Sequence, residues 1–207
     1  MLVDDTVRDF IRSVASSSPT PGGGSVAALC GALSGSLTAM VCNLTIGRDK
    51  YDDVRPEMER ALEDSSKLAE RLTQLVDEDA QAYASVVVAL RLPKGTDEEK
   101  GKRMEAMQNG LRRAIAAPVE VMELSLEAIR LAYLVVRKGN EGGLSDSGSG
   151  AMLAFAALHA ASMNVKINLK QIQDQEFKDE VAEKLGEMEE EAELLRSEVL
   201  AEVKLKM

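Results

Sequence analysis

Asp79 is a carboxylate where an apolar side chain belongs. Alternating steps of four and three from Met58 pick out Met58, Leu62, Ser65, Ala69, Leu72, Val76, Asp79, Tyr83, Val86 and Leu90. That is a core-facing seam along one helix, predicted over residues 55–90. A carboxylate buried there loses solvation worth several kcal/mol unless it is paired or protonated. Two readings follow: a hydrogen bond that fixes helix register, or a group retained for acid–base chemistry.

Three other stretches carry residue types suited to a site. Pro21, Gly22, Gly23, Gly24 and Ser25 stand where a helix over 25–46 should start, with Ser25 as its cap. Glycines there let backbone N–H groups face a ligand and the helix dipole adds partial positive charge, so the loop is an anion cradle or a plain hinge. It matches neither the GxxxxGK(S/T) phosphate loop nor GxGxxG after a strand. The loop from Gly139 to Asp146 opens another apolar helix, where Asp146 is an N-cap or a second acid. Asn164 and Asn168, four apart on one helix face, either bridge helices or hydrogen-bond a planar heterocycle. His159 is the only imidazole. Set in the interior of an apolar helix, it supports neither a Ser-His-Asp arrangement nor a zinc site. What is left is a carboxylate-and-amide site without metal.

The elements that must position these residues are helices. Aromatic residues make up 3 % of the 207-residue chain, and Ala, Leu, Met, Glu and Lys abound, which favours helix over sheet. The expected fold is all-α, a single-domain antiparallel bundle over residues 1–207. A first helix capped by Asp4 or Asp5 would bury Val7, Phe10, Ile11 and Val14. The uncharged helix 25–46 is long enough to span a membrane. Its small residues Gly31, Ala32, Gly35, Ser36 and Ala39, and its polar Ser34, Thr38, Asn43 and Thr45, instead suit a protein interior, buried all round. Thr96 and Glu99 form a capping box for a helix ending near Ala116, and Pro118 restarts another that ends at Gly139. A second nearly uncharged helix is expected over 147–172, and a charged outer helix over 175–204. The two uncharged helices offer more apolar surface than one small bundle needs, so a homodimer or higher homo-oligomer is expected.

A net charge of −10 without a basic stripe excludes general nucleic-acid and anionic-membrane binding. Cys30 and Cys42 show neither CxxC nor metal spacing and read as reduced core thiols of a cytoplasmic protein. The start MLVDDTVRDF has acidic residues where a signal peptide needs basic ones, so no export signal is expected.

Several long motifs, in order, resemble one family. They are PTPGGGS with its uncharged helix, MVCNLTIGRDKY from Met40 to Tyr51, VDEDAQAY around Asp79, LPKGTDEEK from Leu92, KGN…SD from Lys138 to Asp146, and NVKINLKQIQD from Asn164 to Asp174. Together they look like the formiminotransferase-cyclodeaminase C-terminal family, over nearly the whole chain. The resemblance implies a helical homodimer or higher oligomer acting at the one-carbon unit between N5 and N10 of tetrahydrofolate, with no cofactor beyond that folate substrate. It places the active-site aspartate on Asp79. It leans toward the stand-alone methenyltetrahydrofolate cyclohydrolases over the formimidoyltetrahydrofolate cyclodeaminases, because the CNLTIG, LPKGTDEEK and SSSPTPGGG segments are closer to the former. A non-catalytic helical adaptor on the same fold is the contrasting reading. The expected site comprises Asp79 and Asp146 as catalytic carboxylates. Pro21, Gly22, Gly23, Gly24, Ser25, Asn43, Arg48, Tyr83, Asn140, Asn164 and Asn168 are its expected substrate-binding residues. Ser147-Gly148-Ser149-Gly150 replaces the longer apolar run that stand-alone members carry after SD.

Overall fold

The computed structural model describes residues 1–207 and contains helices and no strand. Six α-helices follow in order: α1 (Val7–Val14), α2 (Gly23–Thr45), α3 (Arg55–Leu90), α4 (Asp97–Lys138), α5 (Leu144–Leu169) and α6 (Gln175–Lys206). Short 3₁₀ turns at Leu2–Asp4, Asp49–Val54 and Glu141–Gly143 precede α1, α3 and α5. Helix α2 packs against α3, α4 and α5, while α6 covers α4 and α5. The core is filled by Met58, Leu72 and Leu75 of α3, Leu111, Ile115, Met122 and Ile129 of α4, Leu158 of α5 and Leu185 of α6. Small residues bring α2 close to α3: a Cβ at Gly35 would lie 3.0 Å from the Ser65 carbonyl oxygen. Helix α3 has the predicted limits; along its seam Met58, Ser65, Leu72, Val76 and Val86 are buried, Leu62, Ala69 and Asp79 are partly buried, and Tyr83 and Leu90 are exposed.

Caps explain the other boundaries. Thr96 and Glu99 form the expected capping box at the start of α4. Gly47 adopts φ +83°, a conformation closed to most side chains, just after α2 ends. Helix α1 is capped by Thr6, which accepts from the Asp9 N–H at 3.2 Å; neither Asp4 nor Asp5 does this. Asp4 lies inside the preceding 3₁₀ turn, which Asp77 tethers by accepting from the Leu2 N–H at 2.7 Å. The apolar stripe of α1 is not buried as expected: Phe10 is, whereas Val7 and Ile11 are 79 % and 61 % exposed.

Pro118 does not divide two helices. Helix α4 runs through it without a break from Asp97 to Lys138. Proline lacks the N–H that would bond the carbonyl four residues earlier, which here belongs to Ala114. The side-chain amide of Asn168 donates to that carbonyl at 3.2 Å, so the helix continues with its acceptor satisfied. Within one chain, helix α2 is not buried all round. Leu33, Met40 and Leu44 lie exposed along one face, as do Met152, Met163 and Ile167 on α5. Both helices are long and apolar enough to cross a membrane, yet 56 % of the apolar window of the first and 44 % of the second is buried within the bundle.

Candidate functional site

Helix α2 begins at Gly23 with Gly22 as N-cap, so the cap position has no side chain to satisfy the first-turn N–H groups. Ser25 is therefore not the cap. It lies within the first turn, fully buried, and donates its hydroxyl to Oδ2 of Asp79 at 3.0 Å. Asp79, reaching over from the middle of α3, supplies the negative charge that the N-terminus of α2 attracts. Gly24 makes the arrangement possible, because a methyl group there would collide with the Asp79 carboxylate. Gly23 is less crowded; a Cβ would lie 3.3 Å from Nδ2 of Asn164. The triple glycine is thus a socket for side chains from α3 and α5, tightest at Gly24.

Burial pushes the Asp79 carboxyl above its ordinary range, and hydrogen bonds from the Ser25 hydroxyl and backbone N–H pull it partway back. The carboxylate has no ion-pair partner, and the lining around it contains no Lys, Arg or His. The alternative of a buried salt bridge is thereby removed. A desolvated acid without a counterion can hold or accept a proton and attract a cationic ligand.

Asp79 opens onto a cavity of about 180 Å³ lined by Pro19, Thr20, Gly22, Gly23, Gly24, Tyr83, Ala114, Asn164, Ile167 and Asn168. Ligand sites for drug-sized molecules usually run to roughly 300–1,000 Å³, so this cavity seats one ring system, with the remainder of a larger ligand outside. Tyr83, one turn beyond Asp79 and 43 % exposed, stands at the mouth. Three concavities elsewhere are larger, one of them, at about 200 Å³ between α3 and α4, only slightly so. A groove of about 610 Å³ between α2 and α3 holds Asn43 and, as its one ionisable side chain, Glu70. An apolar groove of about 500 Å³ lies beside α1 and has only Asp5.

The predicted residues therefore separate into two groups. Pro21, Gly22, Gly23, Gly24, Ser25, Asp79, Tyr83, Asn164 and Asn168 gather at the α2 N-terminus, Pro21 as a buried part of the entering loop. Asn43, Arg48, Asn140 and Asp146 lie at the other end of α2, about 30 Å away at 1.5 Å per residue. There the Asn140 side chain donates to the Leu44 carbonyl at 2.8 Å and accepts from the Gly142 N–H at 3.0 Å, closing the turn into α5. Asp146 sits in the first turn of α5 rather than at its N-cap, which is Gly143. Within one chain these four residues do not meet Asp79. Sequence reasoning did not single out Pro19, Thr20, Ala114 and Ile167 in the lining; Pro118 marked Ala114, since a proline within a helix leaves the carbonyl four residues back without its usual donor.

His159 is half-buried on α5, with Nδ1 4.0 Å from Glu189 and its ring edge-on to Phe155. Glu189 also accepts from Ser162 and, at 2.6 Å, from Lys166, so the imidazole belongs to an α5–α6 contact and not to a nucleophile relay. No group of three or more His, Cys, Asp or Glu side chains is placed to hold a metal ion.

Residues 6–187 match the sequence model of the Formiminotransferase-cyclodeaminase family. The chain belongs to this family. Among its relatives is a protein named methenyltetrahydrofolate cyclohydrolase from Methylorubrum extorquens, 39 % identical over 207 residues and spanning the whole of both chains. The formimidoyltransferase-cyclodeaminase of Mus musculus is 37 % identical over 191 residues, which cover 92 % of this chain and 35 % of that longer protein. A crystal structure of formiminotetrahydrofolate cyclodeaminase from Thermotoga maritima superposes with a TM-score of 0.89 at 30 % identity, covering 99 % of this chain and 98 % of the other. The all-helical fold is thus the fold of the family.

Proposed function

We propose that this chain is a 5,10-methenyltetrahydrofolate cyclohydrolase, which opens the methenyl bridge with water to give 10-formyltetrahydrofolate. The observation that carries the reading is the unpaired, desolvated Asp79 carboxylate in a ring-sized cavity. The methenyl carbon lies in an amidinium-like cation, which such a carboxylate attracts where no protein cation competes. Asp79 accepts a proton from water as the oxygen adds to that carbon. It then returns the proton to N5 as the carbon–N5 bond of the tetrahedral adduct breaks, and the adduct's hydroxyl proton passes to solvent as the C=O of the formyl group on N10 forms. Ser25 orients the carboxylate, Gly22 to Gly24 leave room for it, and Tyr83, Asn164 and Asn168 contact the ring system.

A second reading, formimidoyltetrahydrofolate cyclodeaminase, is supported by the names of the Mus musculus and Thermotoga maritima relatives. There the same proton shuttle would help ammonia leave as N10 closes the ring. Purified protein offered methenyl- and formimino-tetrahydrofolate separately distinguishes the two. Loss of the methenyl chromophore with no ammonia release supports the cyclohydrolase, ammonia release supports the cyclodeaminase, and inertness to both rejects the enzyme reading.

The functional unit we infer is a cytoplasmic homodimer of one antiparallel helical domain, residues 1–207. Support comes from the exposed apolar residues on α1, α2 and α5, a kind of surface that a second copy can cover.

A further inference from the structure

We infer that Asn164 and Asn168 act as a pair of hydrogen-bond acceptors that selects reduced over fully oxidised pteridine rings. The inference rests on the folate reading of the Asp79 cavity and adds what that cavity discriminates. The amide nitrogen of Asn164 donates to the Ala160 carbonyl at 2.9 Å, and that of Asn168 donates to the Ala114 carbonyl at 3.2 Å. A carbonyl oxygen can only accept, so each side-chain amide is fixed with its nitrogen toward backbone and its oxygen as the remaining polar end. No protein donor reaches either side-chain oxygen. Both residues line the cavity beside Asp79, itself an acceptor when ionised. A ligand that satisfies this wall must bring N–H donors.

The two amides are one helical turn apart, roughly 5–6 Å between Cβ atoms. A pteridine ring presents donors at a comparable separation along one edge, the 2-amino group and N8–H, which flank a ring nitrogen. N8 carries hydrogen in the dihydro and tetrahydro states and in the methenyl derivative. In fully oxidised folic acid it is a bare acceptor. Acceptor would then face acceptor in a desolvated cavity, and a site built around a donor rejects an analogue that lacks it. The pair therefore reads the hydrogen on N8, while Asp79 serves the one-carbon unit.

The test measures binding of 7,8-dihydrofolate and folic acid to the full-length protein by calorimetry. These ligands share the 2-amino group and the tail and differ in the hydrogenation of the N8–C7 bond. The wild type is expected to bind dihydrofolate at least about tenfold more tightly. In Asn164→Leu that ratio should fall toward one, because the substitution removes an acceptor and leaves the Ala160 carbonyl its helical donor. A ratio near one in a wild type that hydrolyses methenyltetrahydrofolate would overturn this inference alone. So would a ratio that survives unchanged in Asn164→Leu. A wild type that neither binds these ligands nor turns over methenyl- or formimino-tetrahydrofolate would overturn the folate reading and the acceptor pair with it.

Discussion

The hydroxyl of Ser25 donates to Oδ2 of Asp79 across 3.0 Å, tying the first turn of α2 to the middle of α3. The bond favours the ionised carboxyl and so opposes the upward push of burial. In the proposed reaction the carboxylate is the active form. Activity is therefore present above the folded-state pKa and lost as pH falls through it, with a midpoint above the ordinary carboxylate range.

Ser25→Ala should move that acid limb to still higher pH, since it removes a donor to the charged form. Stability should fall by no more than about 1–2 kcal/mol, the usual net loss for one hydrogen bond. A pH–rate profile on wild type and variant checks both the direction and the limb.

Gly24→Ala should reduce turnover at least tenfold, because a Cβ at this position occupies the space of the Asp79 carboxylate. Gly23→Ala meets only the Asn164 side chain, at 3.3 Å, and should be milder. Steady-state kinetics on the two variants side by side tests whether the glycines make a socket for Asp79 or an interchangeable hinge.

Asn168→Ala should destabilise the protein by about 1–3 kcal/mol, leaving the Ala114 carbonyl with no donor beside Pro118. Adding Pro118→Ala restores a backbone N–H to that carbonyl and should recover part of the loss. Denaturant unfolding of the single and double variants measures the coupling. Additive effects would show that Asn168 does not support the proline step.

Leu33→Glu, on the exposed face of α2, should leave the fold intact and dissociate the assembly. Light scattering at micromolar concentration should give a dimer for the wild type and a monomer for the variant.

Much of this architecture was legible in local pattern. The limits of α3, the Thr96–Glu99 capping box and the anomaly at Asp79 all follow from spacing and cap chemistry. The misreadings share a cause, which is that the deciding partner is distant in sequence. Pro118 reads as a break until Asn168, 50 positions on, is seen to satisfy Ala114. Ser25 reads as a cap until Asp79 is found facing the same helix end. Asn140 and Asp146 sit in motifs that resemble the family, yet a motif does not state which end of a helix it reaches. The antiparallel course of α2 and α5 carries them to the far end from Asp79.

Turnover per folded molecule of Asp79→Asn tests the central claim most directly. The amide keeps the shape and still accepts from the Ser25 hydroxyl, but it cannot shuttle a proton at neutral pH. A carboxyl whose folded-state pKa is raised contributes most to stability below its ordinary range and loses that contribution as pH rises through the raised value. A neutral amide avoids the loss, so stability at pH 7 should hold or rise. Methenyltetrahydrofolate hydrolysis should drop by about 10²–10⁴-fold, the usual contribution of a positioned general acid–base group. A variant that melts early yet turns over substrate at near wild-type rate per folded molecule would contradict the account and leave Asp79 as a structural cap for α2.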